Sequence, residues 1–184
     1  MIADQKLTGH QFETEADAWA HFDKLASDSG CFQRIHPEVE GELLHPRPGC
    51  DHKQTLRIDR ILVPAPKLFA AGWRSGFIGV EGKRSGEKIG KAICQSMDYS
   101  RAVFRLNPHG FLVMLEWVFL WPLDAQPPGD IGSVMAQHRI GWVKSCGRVP
   151  LIFGCGGTNG VTIKSDWTVE VHPLPMGRKE GNRG

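Results

Sequence analysis

An acid and a base two residues apart on an otherwise apolar run, Glu81 and Lys83, constrain this chain more than any other feature. The run 77–83 (Phe-Ile-Gly-Val-Glu-Gly-Lys) and an earlier run, 57–63 (Arg-Ile-Asp-Arg-Ile-Leu-Val), are rich in β-branched residues and bounded by Pro and Gly. Both therefore read as strands. Successive strand residues point to opposite faces, so Glu81 and Lys83 share one face while Val80 and Gly82 take the other. Charges placed beside a core are costly unless something polar meets them. If the strand carrying Asp59 lies next to that of Glu81, three charged groups converge on one patch. Two carboxylates suit a divalent cation, and a neighbouring lysine suits a phosphate or an attacking water.

A helical pattern follows over about 87–106. Ile89, Ala92, Ile93, Met97, Ser100, Val103 and Phe104 form an apolar stripe, and Lys88, Lys91, Gln95 and Tyr99 form a second stripe beside it. The second stripe reads either as a solvated face with Tyr99 at its boundary or as a row of donors facing a phosphate backbone.

Upstream, Thr14 is placed to cap a helix whose face is Ala18, Trp19, Phe22, Leu25 and Ala26, ended by Ser29-Gly30. The stretch 35–44 alternates as a strand with Glu38, Glu40 and Glu42 on one face. That face reads as solvated, or as the source of a further carboxylate in Glu38 or Glu40. Residues 45–52 read as a loop. His45, Cys50 and His52 there lack the second ligand pair that a zinc site needs, so a surface loop is the preferred reading. Downstream, 111–123 reads as one long or two closely joined central strands, and 131–146 as a helix. Residues 151–153 and 161–163 read as a hairpin turning at Asn159-Gly160, with a further strand over 167–171. The Gly-rich stretch 154–160 lacks the ending of a phosphate-binding loop, so it stays with the hairpin. Cys94 reads as a small core residue rather than a nucleophile, for want of a His-Asp pair.

The order helix, three strands, helix, strand, helix, strands predicts an α/β fold with a mixed sheet. A chain of 184 residues reads as one domain, 1–175, followed by a basic and disordered tail, 176–184. No apolar run reaches membrane-spanning length. Five cysteines without regular spacing and no signal-like opening predict free thiols and a cytoplasmic setting. The net charge of +2 is too small to identify a partner.

The ordered set of Asp59, then Glu81-Gly82-Lys83, then Gln95-Ser96-Met97-Asp98-Tyr99 resembles the PD-(D/E)xK nuclease superfamily. Its Q-x-x-x-Y helix is similar to that of the RecB-type branch. The resemblance spans 35 to about 120. It implies a restriction-endonuclease-like αβββαβ core, here with an added C-terminal helix and hairpin, and a phage, mobile-element or defence setting. It further implies a magnesium- or manganese-dependent nuclease acting on nucleic acid, DNA foremost. Asp59 and Glu81 would ligate the ion with help from the Gly82 carbonyl. Lys83 would act on the attacking water and the developing charge. Gln95 and Tyr99 would hold the substrate strand or the catalytic residues. Ile58 stands where the family's motif has proline, and Gly82 makes the middle of E-x-K more flexible. Other readings are an RNA endonuclease and an inactive nuclease-fold protein that binds nucleic acid or a partner.

Overall fold

In the computed structural model, residues 12, 14–45, 54–83, 87–106, 110–122, 129–145, 151–155 and 158–172 are described. The predicted tail at 176–184, loop residues 46–52 with Cys50 and His52, and the turn at 84–86 lie outside them.

The chain begins with α1 (Glu15–Asp28), whose first turn is capped as expected: the Asp17 N–H donates to the Thr14 hydroxyl. All five residues of its predicted apolar face are buried. Next come the antiparallel strands β1 (Phe32–Leu43), β2 (Thr55–Pro64) and β3 (Ile78–Gly82). The short helix α2 (Pro66–Ala70) lies in the connection from β2 to β3. Helix α3 (Ile89–Tyr99) follows, then β4 (Ala102–Leu106), β5 (Phe111–Val113) and β6 (Trp117–Trp121). The C-terminal part holds α4 (Gly129–Gln137), β7 (Ile140–Ser145), β8 (Leu151–Cys155), β9 (Thr158–Ile163) and β10 (Val169–Val171). One ten-stranded sheet runs β10-β9-β8-β7-β6-β3-β2-β1-β4-β5. It is mixed: β6 is parallel to both β3 and β7, and the remaining pairs are antiparallel. The α/β expectation is met at this level.

Helices cover both faces. Trp19, Phe22 and Leu25 of α1 pack with Leu62, Val80, Phe119, Trp121 and Phe153 on one side. On the other, Ile89 and Ile93 of α3 and Ile131 and Met135 of α4 pack with Leu120, Trp142 and Ile152. The alternation is visible within β6, where Phe119 and Trp121 face α1 while Leu120 faces α3. A strand buried on both faces loses the polar half of its pattern, which explains the unbroken apolar character of 117–121.

Five expectations are corrected. The helix drawn through 106 ends at Tyr99, and Val103 and Phe104 belong to β4, whose burial alternates and whose Ala102 pairs with Leu43 of β1. The helix drawn to 146 ends at Gln137, Arg139 takes a positive φ of 56°, and Ile140 onward is a strand between β6 and β8. Both segments are short apolar runs whose spacing fits either period, and a free sheet edge decided each. Asn159 and Gly160 lie within β9, because Cys155 pairs with Thr158. Gly154 lies inside β8, where a Cβ would stand 2.1 Å from the Trp142 ring. Cys94 is exposed on α3, and Ser96 takes the buried position instead. The run 111–123 divides into β5 at one end of the sheet and β6 near its centre.

Candidate active site

The site forms where β2 and β3 part. Their ladder runs to Arg60 opposite Val80, and beyond it the Gly82 N–H donates to the Asp59 carboxylate, Oδ2, at 2.7 Å. Gly82 makes this possible: a Cβ there would lie 2.9 Å from Cζ2 of Trp19 and 3.1 Å from Asp59 Oδ2. On the far side of β3, the Lys83 N–H donates to the Trp121 carbonyl at 2.6 Å, extending the parallel pairing with β6. Asp59, Glu81, Gly82 and Lys83 are therefore held by main-chain geometry on both flanks.

Helix α3 packs over the Glu81 face and supplies the polar partners. Lys83 Nζ donates to Glu81 Oε1 at 3.1 Å and to Gln95 Oε1 at 2.7 Å. Gln95 Nε2 donates to Glu81 Oε1 at 2.9 Å and to the Tyr99 hydroxyl at 2.6 Å. That hydroxyl in turn donates to the Arg57 carbonyl at 2.9 Å. Gln95 and Tyr99 are one turn apart on the helix, so Gln95 reaches Glu81 on β3 while Tyr99 reaches the main chain of β2. Gln95 contacts both Lys83 and Glu81, and Tyr99 contacts Gln95. Glu87 lies 4.0 Å from Lys83 Nζ and 3.7 Å from the exposed Lys91, which joins the group through that carboxylate.

Burial governs the electrostatics. It is the main cause pushing the Glu81 carboxyl up to about 7, with nearby Asp59 adding to the rise and Lys83 opposing it. Asp59 is also raised by burial, against the Gly82 N–H that favours its charged form, and Glu15 raises it further. The Tyr99 hydroxyl is raised by burial and then by the charge of Glu81, so it stays protonated and can donate. One oxygen of Glu81, Oε2, is buried without a hydrogen-bond partner. A buried carboxylate oxygen left bare costs free energy, and a cation or a donor on a ligand would remove that cost.

Glu38 and Glu40, read from the sequence as part of a solvated face or as the source of one further carboxylate, do not join this group. Both are exposed, Glu38 has a positive φ of 47°, and its carboxylate lies 3.6 Å from Arg57. The upstream acid whose charge raises Asp59 is instead Glu15, in the first turn of α1. In the sequence Glu15 looks like a residue complementing the helix dipole, and no local pattern links it to Asp59. Asp23 and Arg60, whose ion pair joins α1 to β2 beside Asp59, were equally silent. Among the described residues, no group of three or more His, Cys, Asp or Glu is placed to hold a metal ion. No helix among them is long and apolar enough to cross a membrane. No family profile, curated protein or solved structure matches this chain.

Proposed function

We propose that this chain is a magnesium- or manganese-dependent nuclease that hydrolyses phosphodiester bonds, DNA foremost. The observation that carries the reading is the bare, buried Oε2 of Glu81 in a carboxylate whose other oxygen is already committed to Lys83 and Gln95. A carboxylate with a pKa of about 7 beside a second carboxylate is a poor anion alone and a good ligand for a cation. The antiparallel β1–β2–β3 unit, α3, and a strand parallel to β3 support a nuclease core of the resembled type, with β4 and β5 intervening between α3 and β6.

Asp59, Glu81 and the Gly82 carbonyl would hold the ion. When bound, it would polarise the scissile phosphate and lower the pKa of a coordinated water. Glu81 must give up its proton as the ion loads, which couples loading to pH near neutrality. Lys83 keeps its ammonium group fixed by two acceptors, so its charge needs no reorganisation when negative charge develops on the phosphate. Gln95 orients both Lys83 and Glu81, and Tyr99 anchors Gln95 to the main chain of β2.

The test is digestion of labelled single-stranded DNA, duplex DNA and RNA with magnesium or manganese, with and without chelator, for the wild type and Glu81→Gln. Cleavage that needs metal and falls about 100-fold or more in the variant is expected. Cleavage that survives both chelation and the substitution overturns the proposal. The panel also shows which sugar the site accepts, since chemistry at the phosphate does not distinguish them.

A further inference from the structure

Arg60 is a charged residue on the β2 face that carries Leu62, against α1, and its side chain is only 11% exposed. A buried guanidinium is tolerated only when its donors are met, and three of its nitrogens have acceptors. Nε donates to the two carboxylate oxygens of Asp23 at 2.9 and 3.2 Å, and Nη2 donates to Asp23 Oδ2 at 2.9 Å. This is a fork, the arrangement that fixes a guanidinium in direction as well as distance. The third nitrogen, Nη1, donates to the main-chain carbonyl of Asp59 at 2.8 Å. The guanidinium carbon lies 4.4 Å above the ring of Trp19, within range of cation–π attraction. The same indole closes against Gly82, where a Cβ would come within 2.9 Å of it. Helix α1 thus bears on the main chain at Gly82 through Trp19, and at Asp59 through the Arg60 of β2 that Asp23 holds.

We propose that Asp23, Arg60 and Trp19 form a strap from α1 that fixes the main chain at Asp59 and Gly82 and so sets how tightly the site holds a divalent cation. They are positioning residues, and the inference rests on the metal-site reading above. Groups that orient metal ligands from behind change affinity by about 10–100-fold when lost. Asp23→Asn removes the charge of the fork at nearly constant shape. Arg60→Lys keeps a positive charge but cannot hold Asp23 and the Asp59 carbonyl together. Asp28→Asn is the control, since it breaks an exposed ion pair with Lys24 on the same helix, away from the site.

Calorimetric titration with manganese alone, on the full chain, reads the affinity directly, and thermal unfolding checks that each variant folds. A dissociation constant raised about tenfold or more in Asp23→Asn and Arg60→Lys, with Asp28→Asn like wild type, is expected. With saturating manganese, the turnover of the variants should approach that of wild type. Folded Asp23→Asn or Arg60→Lys protein that binds manganese within twofold of wild type overturns the strap and leaves the metal site standing. Wild-type protein that takes up no manganese overturns the metal site, and the strap with it.

Discussion

Glu81 makes a quantitative claim that does not require any substrate. Its carboxyl is about 7 in the folded protein against an ordinary value of 4.5, chiefly through burial. A folded state that binds a proton more tightly than the unfolded state is stabilised by low pH. The contribution is complete below about 4.5 and is lost as pH rises through about 7. Each pKa unit corresponds to about 1.4 kcal/mol, so raising the pH from 5 to 8 should cost about 2–3 kcal/mol through this one group. For a chain of this size that is roughly 5–10 °C in melting temperature. Glu81→Gln isolates it, because a glutamine at this position can still accept from Lys83 and Gln95 and does not titrate. Thermal unfolding with chelator present, at intervals from pH 5 to 8, should show wild type losing that much more stability than the variant. Adding manganese at pH 8 should restore wild type and leave the variant unchanged. If the two profiles run parallel across the range, Glu81 is an ordinary carboxylate and the buried-ligand reasoning is wrong.

Three other outcomes follow from the same geometry. Lys83→Ala should slow cleavage about 100-fold or more with little change in DNA affinity, seen by comparing single-turnover rates with binding titrations. It should also push the Glu81 carboxyl higher, since Lys83 is what opposes the rise, and so move the pH midpoint for metal loading upward. Tyr99→Phe removes the hydroxyl that joins Gln95 to the Arg57 carbonyl while the ring stays packed against Phe104. It should cost on the order of 1 kcal/mol in chemical denaturation and slow cleavage far less than Lys83→Ala. Gly82→Ala forces a methyl group against Trp19 and the Asp59 carboxylate, so weaker manganese binding by calorimetry and a stability loss of about 1–3 kcal/mol are expected.

The sequence alone determined the parts whose signal is local. Thr14 followed by Asp17, and an apolar face at helical spacing, placed α1 almost to the residue. Period two and β-branching placed β2 and β3, and with them the shared face of Glu81 and Lys83. One helical turn between Gln95 and Tyr99 was enough to put both side chains on one stripe, and both join the hydrogen-bond network that includes Glu81. Tertiary structure decided what depends on partners far along the chain. Residues 102–106 and 140–145 fit a helix by spacing and became strands because β1 and β6 offered them edges. A short apolar run carries too few turns to separate one period from the other, so the available hydrogen-bonding edge settles it. The upstream acid whose charge raises Asp59 turned out to be Glu15 rather than Glu38 or Glu40. The fork of Arg60 onto Asp23 spans 37 residues of chain. Neither has a sequence signature, because a charge on a helix looks the same whether it faces water or a carboxylate brought to it by the fold.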